Sequence, residues 1–142
     1  MYPVSRTGGD NPTGGGGAAP GAVDVVTAFL ACGGRRDFAT ARALLAEDVV
    51  RAGPDGDLKS GREEYVGYLE QVLGDVRDYS YRVARAVPSA DGRTVTVELD
   101  ESLEEADGTR LSVSEAMVFD LTPDRLISRI SVYMKVAPGT AP

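Results

Sequence analysis

The chain has 142 residues and a formal net charge of −7 at pH 7, with one cysteine and no histidine. This length predicts one domain, and the acidic charge argues against a nucleic-acid partner because phosphate backbones would repel it. A single cysteine excludes an intrachain disulfide, and the lack of histidine excludes Ser-His-Asp and Cys-His catalytic devices as well as histidine-ligated metal sites. Acid–base chemistry would therefore fall to Asp, Glu, Tyr, Arg or Lys side chains.

Residues 1–21 are rich in glycine and proline, with four consecutive glycines at 14–17, and contain few apolar side chains. Such a segment cannot offset its ordering entropy by burial, so we expect a disordered tail. A folded domain is expected over 22–136, followed by a frayed end at 137–142. No apolar run approaches the length of a membrane span and no secretory signal is visible, so we expect a cytoplasmic protein with no membrane partner.

Helical periodicity dominates the first half of the domain. The three predicted helices are 22–31, 38–45 and 62–73. Gly33-Gly34 is expected to end the first helix, while Asp37 and Ser60 are expected to cap the second and the third. A short strand is predicted at 47–51, with a turn-rich loop after it at 53–57.

From Tyr79 onward the pattern alternates between apolar and polar residues, which predicts strands. The first strand begins at Tyr79, with Tyr79, Tyr81, Val83 and Val87 on one side. A long hairpin follows over 94–121, with Asp107-Gly108 at its tip, and the last strand is 126–136. Consecutive strands with short links pair antiparallel, and helices followed by strands favour an α+β fold with three helices packed on a curved sheet.

The long hairpin carries the most informative pair of residues, because Glu101 and Glu115 each interrupt an apolar stripe. A three-residue loop at 107–109 would place the two glutamates directly opposite each other, and a diagonal arrangement is the other option, so we expect them within roughly 5–8 Å. Two close carboxyls on an apolar face cannot both ionise cheaply, so one is predicted to keep its proton near neutral pH. Alternatively, both lie at the solvated end of the sheet, or one pairs with Arg82 or Arg129.

The order of these elements resembles the SnoaL-like branch of the nuclear transport factor 2 superfamily. The resemblance rests on the amphipathic first helix, on Phe38, Ala41 and the run Leu-Leu-Ala-Glu-Asp-Val-Val at 44–50, on Gly-Arg-Glu-Glu-Tyr at 61–65, and on a strand meander that ends with residues 124–133. It implies a cone-shaped half-barrel with an apolar pocket at one end. Relatives include polyketide cyclases, ketosteroid isomerase, and limonene and polyether epoxide hydrolases, together with non-catalytic binding and assembly domains, so the fold alone does not determine the function.

The chain departs from the family pattern where many catalytic relatives carry an Asp-Pro pair after the first short strand. It has Ala52-Gly53-Pro54 there, so the usual base is missing. The Arg and two Asp of limonene-type hydrolases have no counterpart that can be mapped. The last strand has Tyr133-Met134-Lys135 where relatives often have Tyr-x-Asp.

Several other side chains are candidates for the pocket. Tyr65 is predicted to donate a hydrogen bond to a developing oxygen charge, although filling of the core is the alternative role for Tyr65 and Tyr68. The predicted substrate-contacting residues are Tyr68, Met117, Phe119, Phe29 and Tyr133. Alternation on the last strand turns Tyr133 away from the core, whereas the family pattern turns it inward. Cys32 is expected to be an inert core residue.

We therefore predict a cofactor-independent acid–base enzyme of bacterial secondary metabolism that acts on an apolar, polyketide-like small molecule. It would be a cyclase, an isomerase or an epoxide hydrolase, with Glu101 and Glu115 as base and acid. The alternative is a non-catalytic domain that binds a small ligand or assembles with a partner. A homodimer formed through the sheets is expected in either case, and no metal or cofactor is predicted.

Overall fold

The computed structural model describes residues 21–135. The predicted tail, apart from Gly21, and the predicted frayed end lie outside this range. The described elements, in chain order, are α1 (Ala22–Arg35), α2 (Phe38–Ala43), β1 (Leu45–Ala52), β2 (Leu58–Ser60), α3 (Arg62–Gly74), β3 (Asp78–Pro88), β4 (Thr94–Glu104), β5 (Arg110–Leu121) and β6 (Ile127–Met134). None of the helices within 21–135 is long and apolar enough to cross a bilayer.

The six strands form one open, mixed sheet in the order β2-β1-β6-β5-β4-β3. All neighbouring strands are antiparallel except β1 and β6, which are parallel. Successive side chains of a strand point to opposite faces, so β4 buries Val95, Val97 and Leu99 on the concave face, against the helices. The predicted α+β architecture, with three helices on a mainly antiparallel sheet, is confirmed.

The first helix is longer than predicted, because it continues through Gly33-Gly34 to Arg35. Arg36 ends it instead, in the left-handed conformation with φ of 56°. The Arg36 guanidinium donates hydrogen bonds to the backbone oxygens of Leu73 (2.8 Å), in the last turn of α3, and of Val76 (2.7 Å), just after the helix. These tertiary contacts fix the stop at Arg36 and help to offset the cost of about 1 kcal/mol for each glycine in a helix.

Of the caps predicted for the other two helices, one is confirmed and one is wrong. Asp37 caps α2 as predicted, since its carboxylate accepts a hydrogen bond from the Thr40 N–H at 3.1 Å. The predicted cap at Ser60 is wrong: Ser60 pairs with Val50 in the unpredicted strand β2, and Gly61 is the N-cap with φ of 94°. A residue held in a strand ladder and followed by a left-handed glycine is displaced from the capping position.

The hairpin register differs from the direct pairing of the two glutamates. Glu104 faces Arg110, so Glu101 faces Val113 and Leu99 faces Glu115. The loop lies one residue earlier than the predicted 107–109, because the Glu105 N–H donates to the Thr109 backbone oxygen (2.8 Å) and Gly108 takes a φ of 92°, which closes the loop over residues 106–108. This shift of two residues keeps both glutamates on the concave face and makes them diagonal neighbours, which was the other predicted arrangement.

Val87, which was predicted on the inner face, points outward instead, and so does Tyr133, whose orientation the sequence left open. The pairing of β3 with β4 slips between Val83 and Arg85, so that Val87 turns to the outer face and is half exposed. Such a bulge inserts an unpaired residue and reverses the alternation beyond it. Tyr133 pairs with Ala116 on the outer face and is 61% exposed, as alternation predicted and contrary to the family pattern.

Two aromatic residues on neighbouring strands differ in burial, so their replacement by alanine should affect stability to very different extents. We expect Phe119→Ala to lower the free energy of unfolding by about 3–5 kcal/mol, because the ring is fully buried and its removal leaves a cavity. Tyr133→Ala is the matched control and should change it by no more than about 0.5 kcal/mol. Urea unfolding followed by circular dichroism measures both values, and equal losses would contradict the observed strand faces.

Candidate functional site

A cavity of about 290 Å³ lies between the helices and the concave face of the sheet. Its wall is mostly apolar and aromatic, and four side chains with titratable groups from strands join it. Those four are Arg51, Tyr79, Glu101 and Glu115. A mainly apolar cavity with a few convergent polar groups is the usual form of a small-molecule site.

Glu101 and Glu115 both lie on the wall of this cavity. Glu115 sits on β5 between Leu99 of β4 and Met134 of β6, and only 8% of it is exposed. Glu101 is partly buried one diagonal step away on β4. The site therefore brings together the two carboxyls that the sequence predicted on one face.

Burial raises the pKa of Glu115 to about 9, and a hydrogen bond to Glu101 and repulsion by its charge act in the same direction. The positive charge of Arg51 opposes this effect without overcoming it. Glu115 is therefore a neutral carboxylic acid at pH 7 and donates a hydrogen bond to the Glu101 carboxylate. The prediction that one of the two carboxyls keeps its proton agrees with this geometry.

Tyr79 is a site residue that the sequence analysis did not identify. Its hydroxyl donates a short hydrogen bond to Oε2 of Glu101. Burial, the charge of Glu101 and this hydrogen bond raise the pKa of Tyr79 well above its usual value, so the phenol stays protonated. Tyr79 faces Leu103 across the ladder and reaches Glu101 diagonally, which only the true register reveals.

Tyr65 and Tyr68 reach the cavity from α3. The Tyr65 ring is almost fully buried and stacks on Phe29 (6.3 Å between centroids) and on Tyr68 (6.4 Å). Burial raises the pKa of Tyr65 above its usual value. Its hydroxyl makes no hydrogen bond within residues 21–135, so this donor is available to a ligand.

Arg51 is the second site residue that the sequence analysis missed. It follows Val49 on β1, and its side chain is only 12% exposed. The guanidinium lies over the Tyr68 ring, 4.9 Å from the centroid, and Nη1 is 3.5 Å from Oδ2 of Asp57. Alternation along the short strand was the signal that could have found it, because Val49 is a core residue two positions earlier.

The remaining candidates divide between the cavity and other places. Phe29 and Met117 line the cavity, as predicted. Phe119 does not, since it is fully buried beneath Phe29 with a centroid distance of 6.1 Å, and the exposed Tyr133 does not either. Their assignment as substrate-contacting residues was wrong because one packs inside the core and the other points outward.

The ion pairs proposed as the alternative for the glutamates do not form. Arg82 pairs with Asp100 on the outer face at 2.7 Å, and no ion pair joins Arg129 to either glutamate in the described chain. Cys32 is fully buried and burial raises the pKa of its thiol, as expected for a core residue. Within residues 21–135, no three His, Cys, Asp or Glu side chains lie close enough to hold a metal ion.

The raised pKa of Glu115 predicts a specific pH dependence of stability. Between the unfolded pKa near 4.5 and the folded pKa near 9, only the folded state holds this proton, so its stabilising contribution is complete at low pH and is lost as the pH rises. The difference in unfolding free energy between the wild-type protein and Glu115→Gln should fall by up to about 1.4 kcal/mol per pH unit across this window.

Direct titration provides the check on this assignment. In ¹³C NMR of glutamate-labelled protein, the Glu115 carboxyl should titrate in the alkaline range, and Glu101→Gln should lower its pKa by removing the neighbouring charge. A Glu115 resonance that titrates near pH 4.5 in the wild-type protein would contradict it.

Comparisons with known proteins identify the family and the fold. The model of the SnoaL-like domain family matches residues 26–130, well over half of the chain. A search of curated proteins gives no match.

Several solved structures share the fold, at sequence identities low enough that only the fold can be inferred from them. The epoxide hydrolase/cyclase-like enzyme SalBIII, from pyran ring formation in the polyether salinomycin, has a TM-score of 0.73 and 18% identity, covering 81% of this chain and 91% of that chain. An epoxide hydrolase of the LEH-like type from M. tuberculosis has a TM-score of 0.71 and 24% identity, with 80% and 78% covered. A computationally designed 17-OHP binder has a TM-score of 0.74 and 20% identity, with 81% and 93% covered. The chain belongs to the SnoaL-like domain family and has the NTF2-like α+β cone fold.

Proposed function

We propose that this protein is a cofactor-independent acid–base enzyme that acts on a small, largely apolar molecule. The observation that carries the proposal is the hydrogen-bonded pair of Glu115 and Glu101 on the wall of an apolar cavity. One carboxyl of the pair is an acid at neutral pH and the other accepts hydrogen bonds, so both partners of a proton transfer are present. Such a device needs neither a metal nor a redox group.

In this proposal the two glutamates have separate roles. Glu115 donates its proton to a substrate oxygen while Glu101 takes a proton from an attacking hydroxyl, from water or from a carbon next to a carbonyl. Afterwards Glu101 carries the proton and Glu115 is ionised, and transfer along their hydrogen bond restores the starting state. The same cycle serves cyclisation by a hydroxyl and epoxide opening. In an isomerisation, Glu101 instead returns its proton to a different carbon while Glu115 takes back the enol proton, which restores the starting state without transfer between the glutamates.

Two tyrosines support these roles. Tyr79 holds the Glu101 carboxylate in place through its short hydrogen bond, so it is a positioning residue. The free hydroxyl of Tyr65 is available to donate to a substrate oxygen as negative charge develops there. The stacked rings of Phe29, Tyr65 and Tyr68 form an apolar wall for the substrate.

The size of the cavity and the similar proteins favour a compact substrate from secondary metabolism. A volume of about 290 Å³ is near the lower end of small-molecule sites, which favours a single ring or a short chain over a fused polycycle. One similar structure is an epoxide hydrolase/cyclase-like enzyme of polyether formation and another is an epoxide hydrolase. We infer an oxygen-bearing, polyketide-like intermediate of matching size.

Binding without catalysis is the second candidate function. A designed protein of this fold is described as a 17-OHP binder, so the same architecture can serve as a simple receptor. Under this alternative the carboxyl pair and Tyr65 would fix the orientation of a ligand. The two candidates differ in one measurable respect, because only the enzyme consumes what it binds.

Substitution of either glutamate tests the catalytic proposal. Wild-type protein is incubated with a panel of compact epoxides, hydroxy-epoxides and β,γ-unsaturated ketones, and products are followed by mass spectrometry and ultraviolet absorbance. On any substrate that turns over, Glu101→Gln and Glu115→Gln should each lower kcat/KM by about 10²–10⁴-fold, because each removes one proton-transfer partner.

The matched control is Glu98→Gln, which makes the same chemical change on the outer face of β4. Glu98 is exposed and paired with Arg85 at 3.0 Å, so this variant should keep the wild-type rate. Wild-type rates in both pocket variants, with folded protein, would refute the acid–base assignment. Binding of panel compounds without any turnover would favour the receptor.

A further inference from the structure

On the β1–β2 side of the cavity, two cations lie around one carboxylate. Arg51 Nη1 lies 3.5 Å and Lys59 Nζ lies 3.3 Å from the same oxygen, Oδ2 of Asp57. Both cations also lie 4.9 Å from the centroid of the Tyr68 ring. Two positive charges thus share the Asp57 carboxylate, while the Asp57 N–H donates to the Asp55 carboxylate at 3.3 Å, earlier in the loop.

The guanidinium of Arg51 has unused donors at the cavity wall. It carries five N–H groups, yet within residues 21–135 it makes no hydrogen bond, and its one ion pair is long. Its side chain is nevertheless mostly buried and lines the cavity. A cation with free donors at the wall of an apolar cavity is available to bind an anionic oxygen group.

The loop after β1 is built around this cation. The Gly53 N–H donates to the backbone carbonyl oxygen of Asp57 at 2.8 Å, which brings Asp57 back beside the end of the strand. A Cβ on Gly53 would lie 2.0 Å from Oδ1 of Asp57 and 2.8 Å from Nη1 of Arg51. Only glycine leaves room for Asp57 and Arg51 to meet as they do, so the loop fixes the direction of the guanidinium.

The glutamates of the site form no ion pair with Arg51 in the described chain, although its charge acts on Glu115. Glu115 is neutral, and the Glu101 carboxylate accepts its hydrogen bond from the Tyr79 hydroxyl. Within residues 21–135, no side chain of the cavity wall therefore occupies the guanidinium donors of Arg51.

We propose that Arg51 binds a carboxylate of the ligand, so that the substrate is a small apolar carboxylic acid. The proposal rests on the proposed function in that it uses the same cavity, with Glu101 and Glu115 acting on another part of the same molecule. The planar fork of a guanidinium fits the two oxygens of a carboxylate, and the apolar wall accommodates the hydrocarbon part. Lys59 increases the local positive potential without lining the cavity.

A matched pair of probes tests this inference by binding alone. 4-Phenylbutanoate and 4-phenylbutanamide have the same carbon skeleton and differ in charge at pH 7. Isothermal titration calorimetry should show that the wild-type protein binds the acid about 10- to 100-fold more tightly than the amide. In Arg51→Gln this preference should disappear while the amide binds as before, which also shows that the cavity is intact.

Two further variants separate the role of Arg51 from general charge and folding effects. Arg82→Gln removes the same charge on the outer face, where Arg82 pairs with Asp100, and should keep the preference for the acid. Gly53→Ala should reduce the preference by displacing Asp57 and Arg51, with the amide affinity unchanged. Circular dichroism verifies that each variant is folded.

Three outcomes would overturn the inference: equal wild-type affinities for acid and amide, a preference that persists in Arg51→Gln, or the same loss in Arg82→Gln. The experiment needs no turnover, so its failure leaves the acid–base proposal standing. Equally, a preference for the acid that depends on Arg51 remains valid if both pocket glutamates prove dispensable for turnover.

Discussion

The protonated carboxyl of Glu115 is the constraint on which the rest of the site depends. Its neighbours on the concave face are Leu99 and Met134, so its ionised form would lose hydration that no adjacent cation replaces. The carboxyl keeps its proton and shares it with Glu101. Because the folded protein must take up this proton at neutral pH, Glu115 lowers the free energy of unfolding there, an effect that an apolar side chain of similar size would not have. Groups held against such a cost are typical of functional sites.

The hairpin loop determines whether this pair exists. Because side chains alternate along a strand, a slip of one residue would send Glu115 outward and bring Ser114 or Ala116 into the core. The hydrogen bonds among Glu105, Gly108 and Thr109 fix a register in which each pairing partner is two residues away from its place in the direct pairing. Both glutamates therefore stay on the inner face, as diagonal neighbours. In this diagonal arrangement, Oε2 of Glu101 accepts a hydrogen bond from the hydroxyl of Tyr79 on β3. A loop far from the core thus determines which side chains share a proton.

Much of this arrangement could be predicted from the sequence, and the exceptions have physical causes. Alternation along 94–121 was enough to place Glu101 and Glu115 on one face, and helical spacing was enough for Tyr65 and Tyr68. Tyr79 could not be found, because its contact with Glu101 depends on a diagonal across two strands, whereas alternation from Val49 along β1 could have placed Arg51 on the inner face. The helix end at Arg36 depends on contacts with α3 that no local pattern contains.

The loop after the first strand differs from the family pattern in two related ways: it lacks the usual acid, and it holds Arg51 and Lys59 around Asp57. Where many catalytic relatives place Asp-Pro, this chain places Gly53-Pro54, and the glycine makes room for Asp57 to meet Arg51. Near the end of β1, the site thus has Arg51 and Lys59 around Asp57 in place of that acid. In the proposed function, proton transfer then comes from the opposite strands, where Glu101 and Glu115 lie. With the ligand carboxylate proposed at Arg51, β1 recognises the charge of the substrate and the hairpin moves its protons, because one position cannot favour both an anionic ligand and an ionised base.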